Sequence, residues 1–154
     1  MREHKLGVGS SELGVSSRGS VLTPHSELQT PNFNDLLGKQ FKHAARGPEA
    51  YDCYGLCMEL YRRLERQLPD FGSAVMPSVI SRMVDQHKPQ FTELLAPEPW
   101  CLVIFMIRPP YVSHIGVVLE DTSRFIHIMR NTSVSIERLD AQEWKRRIAG
   151  YLKL

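Results

Sequence analysis

Apolar positions along the chain follow two periods, and the change from one to the other divides the sequence. Residues 1–31 follow neither: they are rich in Gly, Ser and Thr with isolated apolar residues, the pattern of a flexible arm. From residue 33 to 41 the helical period begins, with Phe33, Leu36, Leu37 and Phe41 spaced to share one face. Gly47 and Pro48 then mark a loop over 44–50. After it, Leu56, Cys57, Leu60, Tyr61 and Leu64 form an apolar stripe, while Glu59, Arg62, Arg63, Glu65 and Arg66 form the opposite, polar face. Asp52 stands just ahead as an N-cap, and Pro69 closes the segment. Residues 79–87 carry a shorter helical pattern, followed by a Pro-rich loop through Pro99.

Beyond that loop the pattern is that of strands. Residues 101–107 are a continuous apolar run suited to a buried strand, and 112–120 with 125–129 read as a hairpin turned by Asp121, Thr122 and Ser123. Val134 and Ile136 suggest another strand, and Asp140 with Glu143 has the spacing of a capped helix start ahead of Trp144 and Ile148. Helices come first and antiparallel strands after, which is an α+β order. One domain over residues 32–154 is expected, following the arm.

Composition narrows the functional classes. The chain is 42% apolar and 23% charged with a formal charge of +2, too mild and too scattered for nucleic-acid binding. The run 101–107 is too short to span a bilayer, so no membrane insertion is expected. Three cysteines are too few for a disulfide framework and leave at least one free thiol. Arg2 and Lys5 precede no apolar run of secretory length, so synthesis in the cytoplasm without a secretory signal is expected.

Chemistry concentrates at one of those thiols. Cys53 falls in the first turn of the best-defined helix, where unpaired N–H groups and the helix dipole favour a thiolate and can donate to an oxyanion. Gly55 leaves room beside the sulfur for a substrate backbone. Such a nucleophile needs a base, and the base an orienting partner. If Glu120 pairs with Ser123, Gly116 lies opposite His127, and His114 is diagonal to it at about 7–8 Å between Cα atoms. One sheet face then presents both imidazoles.

The stretch Tyr51-Asp52-Cys53-Tyr54-Gly55-Leu56, followed by Ser113-His114-Ile115-Gly116-Val117 and Phe125-Ile126-His127, resembles the NlpC family of cell-wall cysteine peptidases over roughly residues 33–154. The resemblance implies a papain-like topology, with N-terminal helices packed on a C-terminal antiparallel sheet. It also implies Cys53 as nucleophile, His114 as base and His127 as orienter, without a cofactor. Peptidoglycan stem peptides are the implied partners, cut between D-glutamate and diaminopimelate. Leu36-Leu37-Gly38-Lys39 and Leu68-Pro69-Asp70-Phe71 are similar to the branch found in phage tails, which implies phage-like tail proteins as further partners. Action at the cell wall or in a phage-like particle is the corresponding expectation. The chain departs from the family at Phe41, where many members have tyrosine, at Ala44-Ala45 in place of a glycine pair, and at Tyr54 in place of a frequent serine.

Other readings compete. Asp52 fits a helix cap better than a catalytic carboxylate; Cys57 and Cys101 fit the core; Arg46, Arg108 and Arg130 can meet substrate carboxylates. His4, His25, His43 and His87 carry no argument. A zinc site of Cys53, Cys57, His114 and His127 is disfavoured because twelve residues separate the histidines, against three to five in typical structural sites. A non-catalytic structural or assembly protein of a phage-like tail, and a thiol acyltransferase on the same fold, are the rivals to hydrolysis.

Overall fold

The computed structural model describes residues 30–154, so the expected arm lies outside the described residues except for its last two positions. Helix α1 (Cys53–Arg63) starts at Asp52, whose extended backbone and side-chain bond to the Gly55 N–H at 2.6 Å make it the cap its residue type predicts. Leu56, Cys57, Leu60 and Tyr61 are buried, and Arg62 and Arg63 in the last turn bond back to Glu59. Helix α2 (Pro77–His87) opens with proline, whose fixed φ suits the first helical position, two residues earlier than the pattern suggested.

The expected helix over 33–41 is not formed. A single 3-10 turn at Asn34–Leu36 buries Leu36, while Leu37 stays 40% exposed. The backbone then bonds elsewhere: Gly38 N–H reaches Val134 O and Phe41 N–H reaches Thr132 O. These tertiary bonds replace helical ones, and strand β1 (Gln40–Phe41) runs parallel to β2 (Ala50–Tyr51). The loop over 44–50 forms between them.

Six strands make the main sheet, in the order β3 (Thr92–Leu94), β8 (Ile148–Lys153), β4 (Leu102–Phe105), β5 (His114–Val118), β6 (Arg124–His127) and β7 (Ser135–Arg138), with every pairing antiparallel. The fold is therefore α+β. Strands β3 and β8 were not legible in advance. The capped helix ahead of Trp144 is one turn, α3 (Gln142–Lys145), and its N-cap is Ala141 without a side-chain bond. Asp140 instead binds the Arg138 guanidinium at 2.8 Å, which takes the acceptor the cap would have used.

Alternation along β4 gives the sheet two apolar faces. Leu102 and Ile104 pack with Leu56, Leu60 and Tyr61 of α1; Val103 and Phe105 pack with Phe125, Leu139 and Trp144 on the α3 side. Each fully buried side chain of this kind contributes roughly 1.5–3 kcal/mol, so the sheet is held from both sides. Val117 opposite Ile126 and Val118 opposite Phe125 give the hairpin the register that pairing Glu120 with Ser123 predicts.

Candidate active site

Asp52 does more than cap. Its carboxylate accepts from Gly55 N–H, from the Arg46 guanidinium at 2.7 Å and from Ser73 Oγ at 2.8 Å, and the side chain is only 8% exposed. Arg46 also binds both carboxylate oxygens of Asp70 and the Gly72 carbonyl, so it ties the loop before α1 to the segment after it. It is therefore a structural ion-pair partner rather than a free contact for substrate. Gly55 has a different purpose from the one its position suggested: a Cβ there would stand 2.2 Å from the Ala45 carbonyl oxygen. The glycine lets the loop cross the first turn of α1, and the Asp52 N–H bonds that same oxygen.

At the start of β5, His114 Nε2 lies 2.8 Å from His127 Nδ1, with both side chains buried. Gly116 makes room for this pair, since a Cβ there would meet the Ile126 carbonyl at 2.9 Å and His127 Cβ at 3.2 Å. Aromatic rings enclose it. Trp144 stands edge-on to His127 with centroids 4.8 Å apart, Phe125 is also 4.8 Å from His127, and Phe105 is 5.5 Å from His114. His127 Nε2 and Trp144 Nε1 are buried without hydrogen-bond partners among the described residues.

Bonding through Nε2 leaves His114 Nδ1 as the nitrogen for a substrate or thiol. For Nδ1 to accept a proton, Nε2 must carry the hydrogen and donate it to His127 Nδ1, and His127 then holds its own hydrogen at Nε2. Burial drives both imidazoles toward the neutral form: His114 falls well below its ordinary value, aided by the neighbouring His127, and His127 falls to about 4.

Cys53 and His114 line one cavity of about 400 Å³, with Ser113, Arg108 and Arg130 also on its walls. No hydrogen bond joins the sulfur to either histidine among the described residues. Burial pushes the thiol up to about 12, the Asp52 charge adds to this, and the N–H groups of Tyr54, Ile115 and Cys53 oppose it. The helix start was expected to favour a resting thiolate. Desolvation and the capping carboxylate outweigh it, so the resting pair is a neutral thiol and a neutral imidazole.

The model of the NlpC/P60 family matches residues 38–153. The chain belongs to the NlpC/P60 family. Members are generally cysteine peptidases, with functions of the cell-wall peptidase type. Among solved structures, NlpC1 from Trichomonas vaginalis superposes with a TM-score of 0.60 at 20% identity, covering 87% of this chain and 46% of that one. NlpC2 from the same organism gives 0.58 at 18%, covering 84% and 51%. A lipoprotein-like NLP/P60 family protein from Staphylococcus aureus gives 0.58 at 16%, covering 90% and 44%. The chain thus spans about half the length of these structures, and the likeness is one of fold. No curated protein matches it.

Within this NlpC/P60 domain, His114 and His127 are in direct contact, and Cys53 shares the cavity wall with His114. Cys57 and Cys101 are buried in the core as expected, and no group of three or more His, Cys, Asp or Glu converges for a metal ion among the described residues. No described helix is long and apolar enough to cross a membrane. Sequence reasoning missed the Arg46–Asp52–Ser73 network and the aromatic enclosure by Trp144. The order of strands, which a single sequence does not display, is what brings Trp144 against His127.

Proposed function

We propose that the chain is a cysteine peptidase of peptidoglycan stem peptides, acting at the bond between D-glutamate and diaminopimelate, with Cys53 as nucleophile, His114 as general base and His127 as orienter. The single observation that carries this reading is the buried 2.8 Å bond between His114 Nε2 and His127 Nδ1, because it holds the His114 ring and leaves Nδ1 to accept a proton in the tautomer that carries its hydrogen at Nε2. A fold kept only for structure gains little from two buried imidazoles, one with a nitrogen left unpaired among the described residues.

In the proposed reaction His114 Nδ1 takes the Cys53 proton as sulfur attacks the peptide carbonyl, since the thiol is protonated at rest. The N–H groups at the start of α1 donate to the oxyanion. The C–N bond breaks, the imidazolium gives its proton to the leaving amine, and water then releases the acyl group from sulfur. Arg108 and Arg130 on the cavity wall suit the carboxylates of such a peptide. The resemblance of residues 36–39 and 68–71 to phage-tail members supports delivery by a phage-like particle. The apolar walls of the cavity favour a second reading, in which the acyl group passes to an acceptor other than water.

The test is incubation with defined stem peptides and mass spectrometry of the products. Cleavage between D-glutamate and diaminopimelate by the wild type, and none by Cys53→Ala, is expected. No product from folded wild-type protein on any stem peptide or wall preparation would overturn the reading.

A further inference from the structure

Helix α2 turns an apolar stripe toward the sheet and packs on its core in part, through Val84. Ile80, Met83, Val84 and His87 recur at i, i+3, i+4 and i+7, one face of a helix, and all four line the cavity that holds Cys53. Yet α2 has no buried residue. The floor opposite is made of Leu102, Ile104 and Leu152, which belong to the closed core. Two such apolar surfaces ordinarily meet, because contact removes both from water. Here about 400 Å³ stand between the elements that carry them.

Size and charge say what fits. An apolar cavity of about 150 Å³ takes one benzene ring, so this space exceeds the needs of any single amino-acid side chain. Arg108 and Arg130 are on its walls, Lys88 on the same walls is paired with Glu93 at 2.6 Å, and the cavity's one carboxylate among the described residues, Asp52, is already held by Arg46, Ser73 and the Gly55 N–H. A ligand with a long apolar body and an anionic end matches both features. The approach is apolar as well, with Val75 51% exposed on the cavity wall and Met76 beside it 62% exposed.

We propose that this cavity is a binding site for the aliphatic acyl chain of an anionic ligand. The chain lies between α2 and the sheet, with the anionic group toward Arg108 and Arg130. As a substrate site it rests on the reading of Cys53 as nucleophile; as a binding site it does not.

Butyrate, hexanoate and octanoate titrated into protein labelled with ¹³C at the methionine methyls provide the test. Shifts are expected at Met83 and Met129, which line the cavity, and not at Met58 on α1. Affinity should rise about fourfold per methylene, or about 200-fold from butyrate to octanoate, the gain expected for burying each CH₂. Ile80→Asn should flatten that dependence, Arg108→Gln should weaken all three ligands alike, and octan-1-ol should bind more weakly than octanoate. Affinity independent of chain length, or shifts away from Met83 and Met129, would overturn the proposal. N-acetyl-leucine binding as tightly as octanoate would overturn it in favour of a side-chain pocket. Folded wild-type protein that binds octanoate but cleaves no stem peptide would refute the peptidase reading and leave the binding site standing.

Discussion

Replacing Asp52 should separate the stability of α1 from the reactivity of its first residue. The carboxylate makes three bonds of 2.6–2.8 Å from an almost buried position, to Gly55 N–H, Arg46 and Ser73. Losing an N-cap costs about 1 kcal/mol, and breaking a buried ion pair about 3–5 kcal/mol. Arg46 is 24% exposed and keeps Asp70 at 3.0 Å, so the ion-pair loss belongs at the low end. Asp52→Ala should therefore lower the unfolding free energy by about 3 kcal/mol. Asp52→Asn, which keeps an acceptor for Gly55 and a polar group for Ser73, should lose about half of that. Reactivity should move the other way. Burial raises the Cys53 thiol first and the Asp52 charge second; the amide removes only the second cause, so the thiol pKa falls. Well below the pKa, thiolate rises tenfold for each unit of fall, and alkylation follows it. Urea midpoints give the stabilities, and mass spectrometry of iodoacetamide-treated protein at pH 8 gives the Cys53 rate. Asp52→Asn protein that is less stable yet labels no faster than wild type would refute the electrostatic half of the reasoning; a loss under about 1 kcal/mol in Asp52→Ala would refute the other.

Stability should also depend on pH through the histidine pair. Above pH 6.5 both are neutral folded or unfolded and contribute no difference; as pH falls toward 4 the unfolded chain takes up protons the folded one refuses, and stability declines by up to about 1.4 kcal/mol per unit from His127, with His114 acting in the same direction. The share of His127 levels off near pH 4, below which Asp35 and Asp121, held at about 2 chiefly by bonds from Arg63 and from the Ser123 N–H, take over the loss. Urea midpoints that are flat between pH 7 and 4.5 would contradict this. In turnover of a cleaved stem peptide, His114→Ala should lose nearly all activity, His127→Ala should keep some, His127→Asn should recover part, and the double alanine variant should match His114→Ala. Full activity in His127→Ala would move the orienting role elsewhere. Trp144→Ala should cost about 3–5 kcal/mol and admit water to His127 Nε2, so the acid loss of stability should shrink; an unchanged pH profile would show that the ring does not seal the pair.

Much of the site was legible because local rules determine it. Asp52 before an apolar stripe predicts a cap, and strand alternation with one turn predicts that His114 and His127 share a face. Failures occurred where long-range bonds decide the outcome. Residues 33–41 have a helical apolar spacing, yet their N–H groups bond to residues 132–134 across the fold. Strand β8 enters between β3 and β4, about fifty residues away in sequence, and Asp140 prefers the adjacent Arg138 to a cap. The protonation of Cys53 was also out of reach. Helix position was visible in the sequence, whereas the degree of burial that outweighs it was not.

The side chains of α2 are at most partly buried, so that helix opens at a lower cost than α1, whose stripe is fully buried. Opening α2 exposes the partly buried Ile80, Met83 and Val84 and unstacks His87 from Phe71, whereas opening the sheet or α1 would breach the fully buried cores. One wall of the cavity can therefore melt and re-form while the histidine pair, anchored in the sheet among aromatic rings, keeps its geometry. Ligand entry and chemical readiness are in this way assigned to parts of the fold with different free energies of opening, and a bound chain that fills the space raises only the first of the two.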